Sequence, residues 1–393
     1  MAKRSYDKAA LAVHKKLGGK IETRAKKPIA SMEDMKVFYT PGVGAVSLYV
    51  KGSGARAKTH TIKKNTVAVV SDGSAVLGLG NIGALGALPV MEGKAMIFKE
   101  FAGVDAFPIV LDLPAPRLRQ AGMQEYVNKV VEVIKAIAPG FGGINLEDFA
   151  APQCFEIEAR LQKELDIPVM HDDQHGTAIV VLAGLMNAAK VVGKEFSHMR
   201  IAIVGAGAAG SAIANILRKA GVKDIFVMDR KGVIHKKRAG LSKAKKTLAA
   251  FTNKEGRKGS ISDGIKGTDV VIGVSGPNKI TEANVRSMAK HPIVFALANP
   301  VPEIAPEKAR HAGAYVIATG RSDHPNQINN ALVFPGFFRG ALDGGVKKVN
   351  DNMKLRAAKA LASLIKKPTR NNIIPTVFDK RVVRTIANAV KRK

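Results

Sequence analysis

The 393-residue sequence predicts an α/β fold in two parts: an N-terminal α/β domain over residues 1–160, then a doubly wound, Rossmann-type dinucleotide-binding domain over 161–393 with C-terminal helices. Three observations carry this. From Arg200 onward short β-rich runs alternate with helical segments, the pattern of a parallel sheet covered by helices on both faces. A glycine-rich turn follows the first of those runs. Finally, 46% hydrophobic and 24% charged residues in a chain of this length suffice for two packed cores and exclude a disordered chain.

The elements follow in order. Asp7 to Gly18 has apolar residues at helical spacing and stops at a Gly-Gly pair. A loop-rich stretch contains "YTPGVG" at Tyr39–Gly44. From Thr66, "TVAVVSDGSAVLGLGNIG" reads as a strand, a turn at Asp72-Gly73 and a second apolar segment with glycines where backbones approach closely. "KAMIF" and "FPIVLDL" read as two short strands. Tyr126 to Ala138 is helical, with Val127, Val130, Val131 and Ile134 on one stripe. After Pro139 come a strand, "NLEDF", a helix from Cys154 to Leu165, the strand "IPVM", the polar run "HDDQHGTA" and a long apolar helix from about Thr177. The second domain then reads strand "RIAIV", glycine turn, helix "SAIANILRKAG" and strands "DIFVMD", "DVVIGVSG", "IVFALANP" and "AYVIATG". No internal repeat is present.

The charge is strongly one-sided: 62 Lys+Arg against 32 Asp+Glu give +30. Such a field attracts polyanions, anionic surfaces or acidic small substrates. It is densest from Arg230 to Lys258, where eleven basic residues face Glu255 alone. No aromatic residues interleave with those lysines as in single-strand binders, so a solvated basic surface is expected and a nucleic-acid partner is not. A single cysteine, Cys154, excludes an internal disulfide and any thiolate metal cluster. The first thirty residues lack a signal-peptide core, and apolar runs such as Ala178–Met186 are far shorter than a membrane span. The expectation is a soluble, untargeted, cytoplasmic protein with no membrane partner.

Gly205, Gly207 and Gly210 make G-x-G-x-x-G between the strand "RIAIV" and a helix, and Asp229 ends the next strand 24 residues after Gly205. The first glycine allows the tight turn and the second admits a pyrophosphate to the backbone, while the helix N-terminus supplies amide donors and its dipole. An acid at Asp229 can hold a ribose 2′-hydroxyl. Asp229 therefore points to NAD, whereas Arg230, Lys231 and the lysines beyond could hold the 2′-phosphate of NADP; the two cues conflict.

Glu147 and Asp148 follow the strand "GGINL", and Asp172 and Asp173 follow "IPVM". In a parallel sheet both pairs lie at carboxyl ends of strands, where such folds place their sites. Carboxylates converging there need a cation between them, and oxygen donors without thiolates select a hard divalent metal, Mg²⁺ or Mn²⁺. Zinc is the competing reading, because His171 and His175 are four apart. Pro168 and the β-branched run before them argue for a strand end there, and no glutamate adjoins the first histidine as in zinc-protease motifs. The histidines are expected to orient neighbouring groups. Simple helix capping is a further reading for Asp172 and Asp173.

"YTPGVG", "SDGSAVLGLGNIG", "PVMEGKAMIFK", "INLEDF", "HDDQHGTA", "GAGAAG", "ANPVPEI" and "NQINNALVFPGFFRGALD", in this order, resemble the malic enzymes, specifically their short bacterial and archaeal branch. The resemblance runs from about Tyr6 to the C-terminal helices. It implies a malate-binding N-terminal domain and oxidative decarboxylation of L-malate to pyruvate and CO₂, with reduction of NAD or NADP and dependence on Mg²⁺ or Mn²⁺. It also implies a homodimer or a higher multiple of one. Carried over by position, Lys94 matches the general base, Tyr39 the general acid, and Glu147, Asp148 and Asp173 the metal ligands. Asp172 matches a carboxylate beside the catalytic lysine, and Asn299 and Asn330 match malate-binding positions.

The chemistry suits these residue types. A lysine can take the C2 hydroxyl proton as hydride leaves if burial and nearby cations lower its pKa toward neutrality. A bound metal can stabilise the enolate formed as CO₂ departs, and a tyrosine can protonate C3. One departure stands out. In the larger malic enzymes an arginine two positions after the "DG" turn grips a malate carboxylate; Ala75 occupies that position here. Backbone amides near Gly73, or Lys99, are the candidates to replace it. Alternative readings are an oxaloacetate decarboxylase or malolactic-type enzyme on the same site, and, in another class, a basic nucleic-acid or membrane-surface binder on an enzyme scaffold.

Overall fold

The computed structural model describes residues 2–76, 78–113 and 123–392. Two sheets organise them. The first contains β1 (Thr66–Ser71), β2 (Asp105–Val110), β3 (Gly143–Leu146) and β4 (Val169–His171), all parallel, in the order β2-β1-β3-β4. The second contains β5 (Arg200–Val204), β6 (Asp224–Asp229), β7 (Gly232–Val233), β8 (Val270–Gly273), β9 (Ile293–Ala296) and β10 (Val316–Thr319), in the order β10-β9-β8-β5-β6-β7. Only the two-residue β7 runs antiparallel to its neighbour. β1, β3, β8 and β9 are buried along their whole length, as expected of parallel strands covered on both faces. The α/β class and the doubly wound second domain agree with the sequence reading, and the strands "RIAIV", "DIFVMD", "DVVIGVSG", "IVFALANP" and "AYVIATG" all form.

Three sequence expectations are corrected. "KAMIF" is not a strand but part of the helix Gly83–Ala102, whose buried residues Ala84, Ala87, Met91, Lys94, Ala95 and Phe98 recur at helical spacing. A short apolar run does not distinguish a strand from a buried helix face, and the wider periodicity decides. The apolar helix expected from Thr177 starts at Asp172 and runs to Val192, so the polar run is mostly its first turns. The first sheet also extends beyond residue 160, because β4 pairs with β3.

The helix Asp172–Val192 joins the two halves. Ile179, Val180, Val181, Leu182 and Leu185 on it are fully buried, each contributing roughly 1.5–3 kcal/mol by leaving water. They belong to one apolar body that includes Val67 and Val69 of β1, Phe98, Ile201 and Ile203 of β5, and the helix Phe334–Asp343. Phe98 packs its ring against Phe334 and Phe338 at 4.8 and 5.5 Å. By length and composition this helix could cross a bilayer, but two-thirds of its most apolar window is buried inside the protein, as in the core helix of a globular fold. The other face of the first sheet packs on the helices Met123–Ile137 and Gln153–Glu164.

Candidate active site

Strand register assembles the site. Val70 of β1 lies opposite Leu146 of β3, and Leu146 lies opposite His171 of β4. The residues that follow, Glu147 and Asp172, therefore leave the carboxyl edge side by side. Lys94 enters from the inner face of the helix Gly83–Ala102. Its Nζ donates to Glu147 Oε1 and to Asp172 Oδ2, both at 2.5 Å, and lies 4.3 Å from the Phe334 ring centre. All three charged groups are buried. Asn145 donates to Glu147 Oε2 at 3.0 Å, and Asp173 Oδ2 accepts the Asp148 backbone N–H at 2.8 Å.

The neighbouring loops are tied in. Asp148 holds a left-handed conformation (φ 55°), a backbone state that costs a non-glycine residue energy and recurs at functional sites. Its carbonyl accepts the N–H of Ala75 at 2.9 Å. Ser74 Oγ accepts the Ala150 N–H at 2.9 Å and donates to Asp72 Oδ1 at 2.7 Å, while the Tyr126 hydroxyl donates to Asp72 Oδ2. Both candidates for the Ala75 vacancy are engaged: the Gly73 N–H donates to Ser71 Oγ at 3.0 Å, and Lys99 Nζ donates to Asp105 at 2.6 Å on the outside of its helix. Gly176 is required at its place, since a Cβ there would fall 1.8 Å from Asp172 Oδ1.

The charges around Lys94 act against its burial. Burial alone would lower the Lys94 pKa, but Asp172, Glu147 and Asp173 outweigh it and hold the ammonium charged, above the usual lysine range. Burial pushes Glu147 and Asp172 up to about 7 against the pull of Lys94, and burial likewise raises Asp173. His171 is brought down to about 4 by burial, which keeps its imidazole neutral near pH 7.

Among the described residues no three acidic, imidazole or thiol groups stand around one point as metal ligands. Glu147 is turned onto Lys94, and Asp173 onto the Asp148 amide. His175 is turned onto Glu158 at 2.9 Å, so the zinc pair does not form. The donor chemistry nevertheless fits a hard divalent cation. Glu147, Asp172 and Asp173 act on one ammonium, Asp148 is buried beside Glu147 in sequence, and the buried Asp172 Oδ1 has no hydrogen-bond partner among the described residues.

A cleft of about 680 Å³ adjoins this cluster at Asp173 and is lined also by Gly78, Thr177, Ser275, Asn299 and Asn330 among others. Asn299 precedes a cis proline, and Glu303, buried behind it, accepts the backbone N–H groups of Ser275 and Ala298. Glu303 lies within "ANPVPEI", yet sequence reading assigned it no role.

The three glycines differ in their surroundings. Gly205 has φ +126°, and a Cβ there would meet Val274 O at 2.6 Å; one on Gly210 would meet Gly205 O at 1.8 Å. A Cβ on Gly207, the cap residue of the helix Ala208–Lys219, would meet nothing within 4 Å. Asp229 is already occupied. Arg238 Nη2 binds both its oxygens at 2.7 and 2.6 Å, Lys245 Nζ binds Oδ2 at 2.5 Å, and the Lys231 N–H binds Oδ1 at 2.8 Å. Partial burial would raise its pKa, but these donors bring it to about 2. The sequence pointed to Arg230, Lys231 and the lysines beyond as cations for a 2′-phosphate. On Asp229 itself stand Lys245, one of those lysines, and Arg238, which sequence reading did not single out.

Tyr39 is not brought to Lys94. It closes the helix Met32–Phe38 with 62% of its surface exposed, and its hydroxyl has no hydrogen bond among the described residues. The arm around it is apolar and uncovered: Leu17, Val37, Phe38, Leu48 and Tyr49 are exposed, as is Leu85 on the helix Gly83–Ala102.

Comparison with known proteins places this architecture. The malic enzyme N-terminal domain family matches residues 18–162, and the malic enzyme NAD binding domain family matches residues 174–393. An NAD-dependent malic enzyme of Geobacillus stearothermophilus is 53% identical over 95% of this chain and 76% of its own length. A bifunctional malic/malolactic enzyme of Bacillus subtilis is 50% identical over 99% of this chain and 93% of its own. The crystal structure of an NAD-dependent malic enzyme from Thermotoga maritima superposes with a TM-score of 0.92 at 45% identity, covering 97% of this chain and 98% of that one.

Proposed function

The chain belongs to the malic enzyme family, and from that premise we propose that its cleft oxidatively decarboxylates L-malate to pyruvate and CO₂, reducing NAD or NADP with the help of Mg²⁺ or Mn²⁺. The observation that carries this reading is Lys94, held by Glu147 and Asp172 and acted on by Asp173, which lines a cleft together with Asn299 and Asn330. A divalent cation held by Glu147, Asp148 and Asp173 would supply Lewis-acid polarisation of the substrate's C2 oxygen and positive charge to offset the carboxylates that keep Lys94 protonated.

Once a bound cation offsets those carboxylates and its own proton has passed to Asp172, Lys94 would take the proton of the C2 hydroxyl as hydride leaves C2 for the dinucleotide. Asp172, pushed up to about 7 by burial and 2.5 Å from Nζ, can hold the proton that Lys94 gives up. Asn299 and Asn330, which line the cleft, would donate to the substrate's carboxylates, and Gly205, Gly207 and Gly210 would admit the pyrophosphate. Tyr39 is the candidate for C3 protonation. It stands on the exposed apolar arm, and covering that arm is the physical argument for a homodimer or a higher multiple. A soluble cytoplasmic setting accords with the buried single cysteine and the interior position of the apolar helix.

The name of the Bacillus subtilis relative supports a second reading, malolactic conversion in the same cleft. Product analysis after incubation with malate, Mn²⁺ and NAD or NADP separates the two. Pyruvate with an equal amount of NAD(P)H is expected, whereas lactate without net NAD(P)H would replace the first reading by the second.

A further inference from the structure

The chemistry above leaves Glu158 without a part. Its carboxylate is buried on the helix Gln153–Glu164, directly behind the turn from β4 into the helix Asp172–Val192. Oε1 accepts the backbone N–H of His171 at 2.8 Å and Gln162 Nε2 at 3.3 Å. Oε2 accepts Gln174 Nε2 at 3.1 Å and lies 2.9 Å from His175 Nε2. The half-buried His175 ring is in turn 3.4 Å from the buried Nζ of Lys354, on the helix Asp351–Ser363 of the second domain. Three of these partners bracket the site carboxylates: His171 precedes Asp172 and Asp173, and Gln174 and His175 follow them.

The bracketing matters because this helix start has no ordinary cap. His171 occupies the cap position and makes no side-chain hydrogen bond there. A helix N-terminus without a cap frays, and its orphan amides favour a nearby anion. Glu158 supplies that anion from a separate helix. Burial alone would raise its pKa, but His175, Lys354 and His171 bring it to about 2, so it stays ionised.

We propose that Glu158 is a positioning residue for the malate site: it clamps the β4-to-helix turn on both sides, and so fixes Asp172 against Lys94 and Asp173 against the Asp148 amide. This rests on the function proposed above and adds that the carboxylate geometry is set from behind the cleft. Lys354, which balances Glu158 through His175, ties the clamp to the C-terminal helices.

The test uses the full-length protein, its Glu158→Leu and Glu158→Gln variants, and Glu164→Gln as a control on the exposed side of the same helix. Mn²⁺ binding is followed by paramagnetic resonance without substrate, and NADH and NADPH binding by fluorescence. In Glu158→Leu the Mn²⁺ dissociation constant is expected to rise ~10–100-fold, the usual size of an outer-shell effect, with NAD(P)H affinity unchanged. Glu158→Gln keeps the shape and an acceptor toward His171 and is expected to lose less. Unchanged Mn²⁺ affinity in a folded Glu158→Leu protein overturns the proposal, as does an equal fall in NAD(P)H affinity, the mark of general loosening. If Glu158→Leu does not fold, unchanged Mn²⁺ affinity in Glu158→Gln overturns it. A wild type that binds Mn²⁺ without oxidising malate overturns the proposed function, while the Mn²⁺ comparison still decides the role of Glu158.

Discussion

Leu146 of β3 and His171 of β4 are register partners, and that single pairing sets Glu147 beside Asp172 so that both reach Lys94 Nζ at 2.5 Å. A slip of one residue would turn the side chains of one strand to the opposite face. The site is therefore a property of sheet register, and Lys94 is its centre. Lys94→Ala is expected to lower malate turnover by about 10²–10⁴, the usual worth of a positioned general base. NAD(P)H binding, measured by fluorescence, should persist.

Metal binding should strengthen with pH through neutrality. Burial pushes Glu147 and Asp172 up to about 7, and a carboxylate must shed its proton before it binds a cation. Mn²⁺ affinity measured by calorimetry is expected to rise between about pH 6 and 8. The sign for stability is opposite. A carboxyl group whose folded pKa exceeds its unfolded value binds more protons when folded, so these groups cost the metal-free protein stability as pH rises from the ordinary carboxylate range through about 7. Thermal unfolding with and without Mn²⁺ should diverge most at the alkaline end.

The cations on Asp229 give a prediction about cofactor choice. Asp229→Asn weakens the hold on Arg238 and Lys245 and frees them for a 2′-phosphate, so kcat/KM should shift toward NADP. Lys245→Ala should do the reverse and cost NADP about tenfold, the scale of one charge-assisted hydrogen bond. Binding of 2′,5′-ADP against 5′-AMP reads the same change without turnover.

Gly176→Ala tests the packing around Asp172. A Cβ 1.8 Å from Oδ1 must displace that carboxylate. Turnover is expected to fall about tenfold or more, with NAD(P)H affinity intact because the glycine turn at Gly205 is untouched.

What the sequence made legible follows the range of the physical signal. The second domain read almost strand for strand, because its β-runs are continuous and a glycine turn of known geometry marks its start. "KAMIF" misled because four apolar residues fit either a strand or the buried helix face that Ala84, Ala87 and Met91 begin. The helix behind the site begins five residues before Thr177 because Asp172 and Asp173 are polar yet favoured in a first turn. The carboxylates and Lys94 were legible as residues, but their pairing was not, since register is set by strands distant in the chain. For the same reason the joint hold of Asp172, Glu147 and Asp173 on the Lys94 charge was not read from the sequence. Glu158, Arg238, Lys245 and Glu303 were unmarked because their partners come from other elements. Tyr39 matched by position, yet in the folded chain it stands exposed and away from the Lys94 hydrogen bonds.

The most direct test of the central claim follows NAD(P)H absorbance with purified protein, L-malate and Mn²⁺, in the wild type and in Lys94→Ala. The account predicts absorbance growth matched by pyruvate, abolished by a chelator and nearly abolished in the variant. No absorbance growth in the wild type with either NAD or NADP, or full growth in Lys94→Ala, would contradict it.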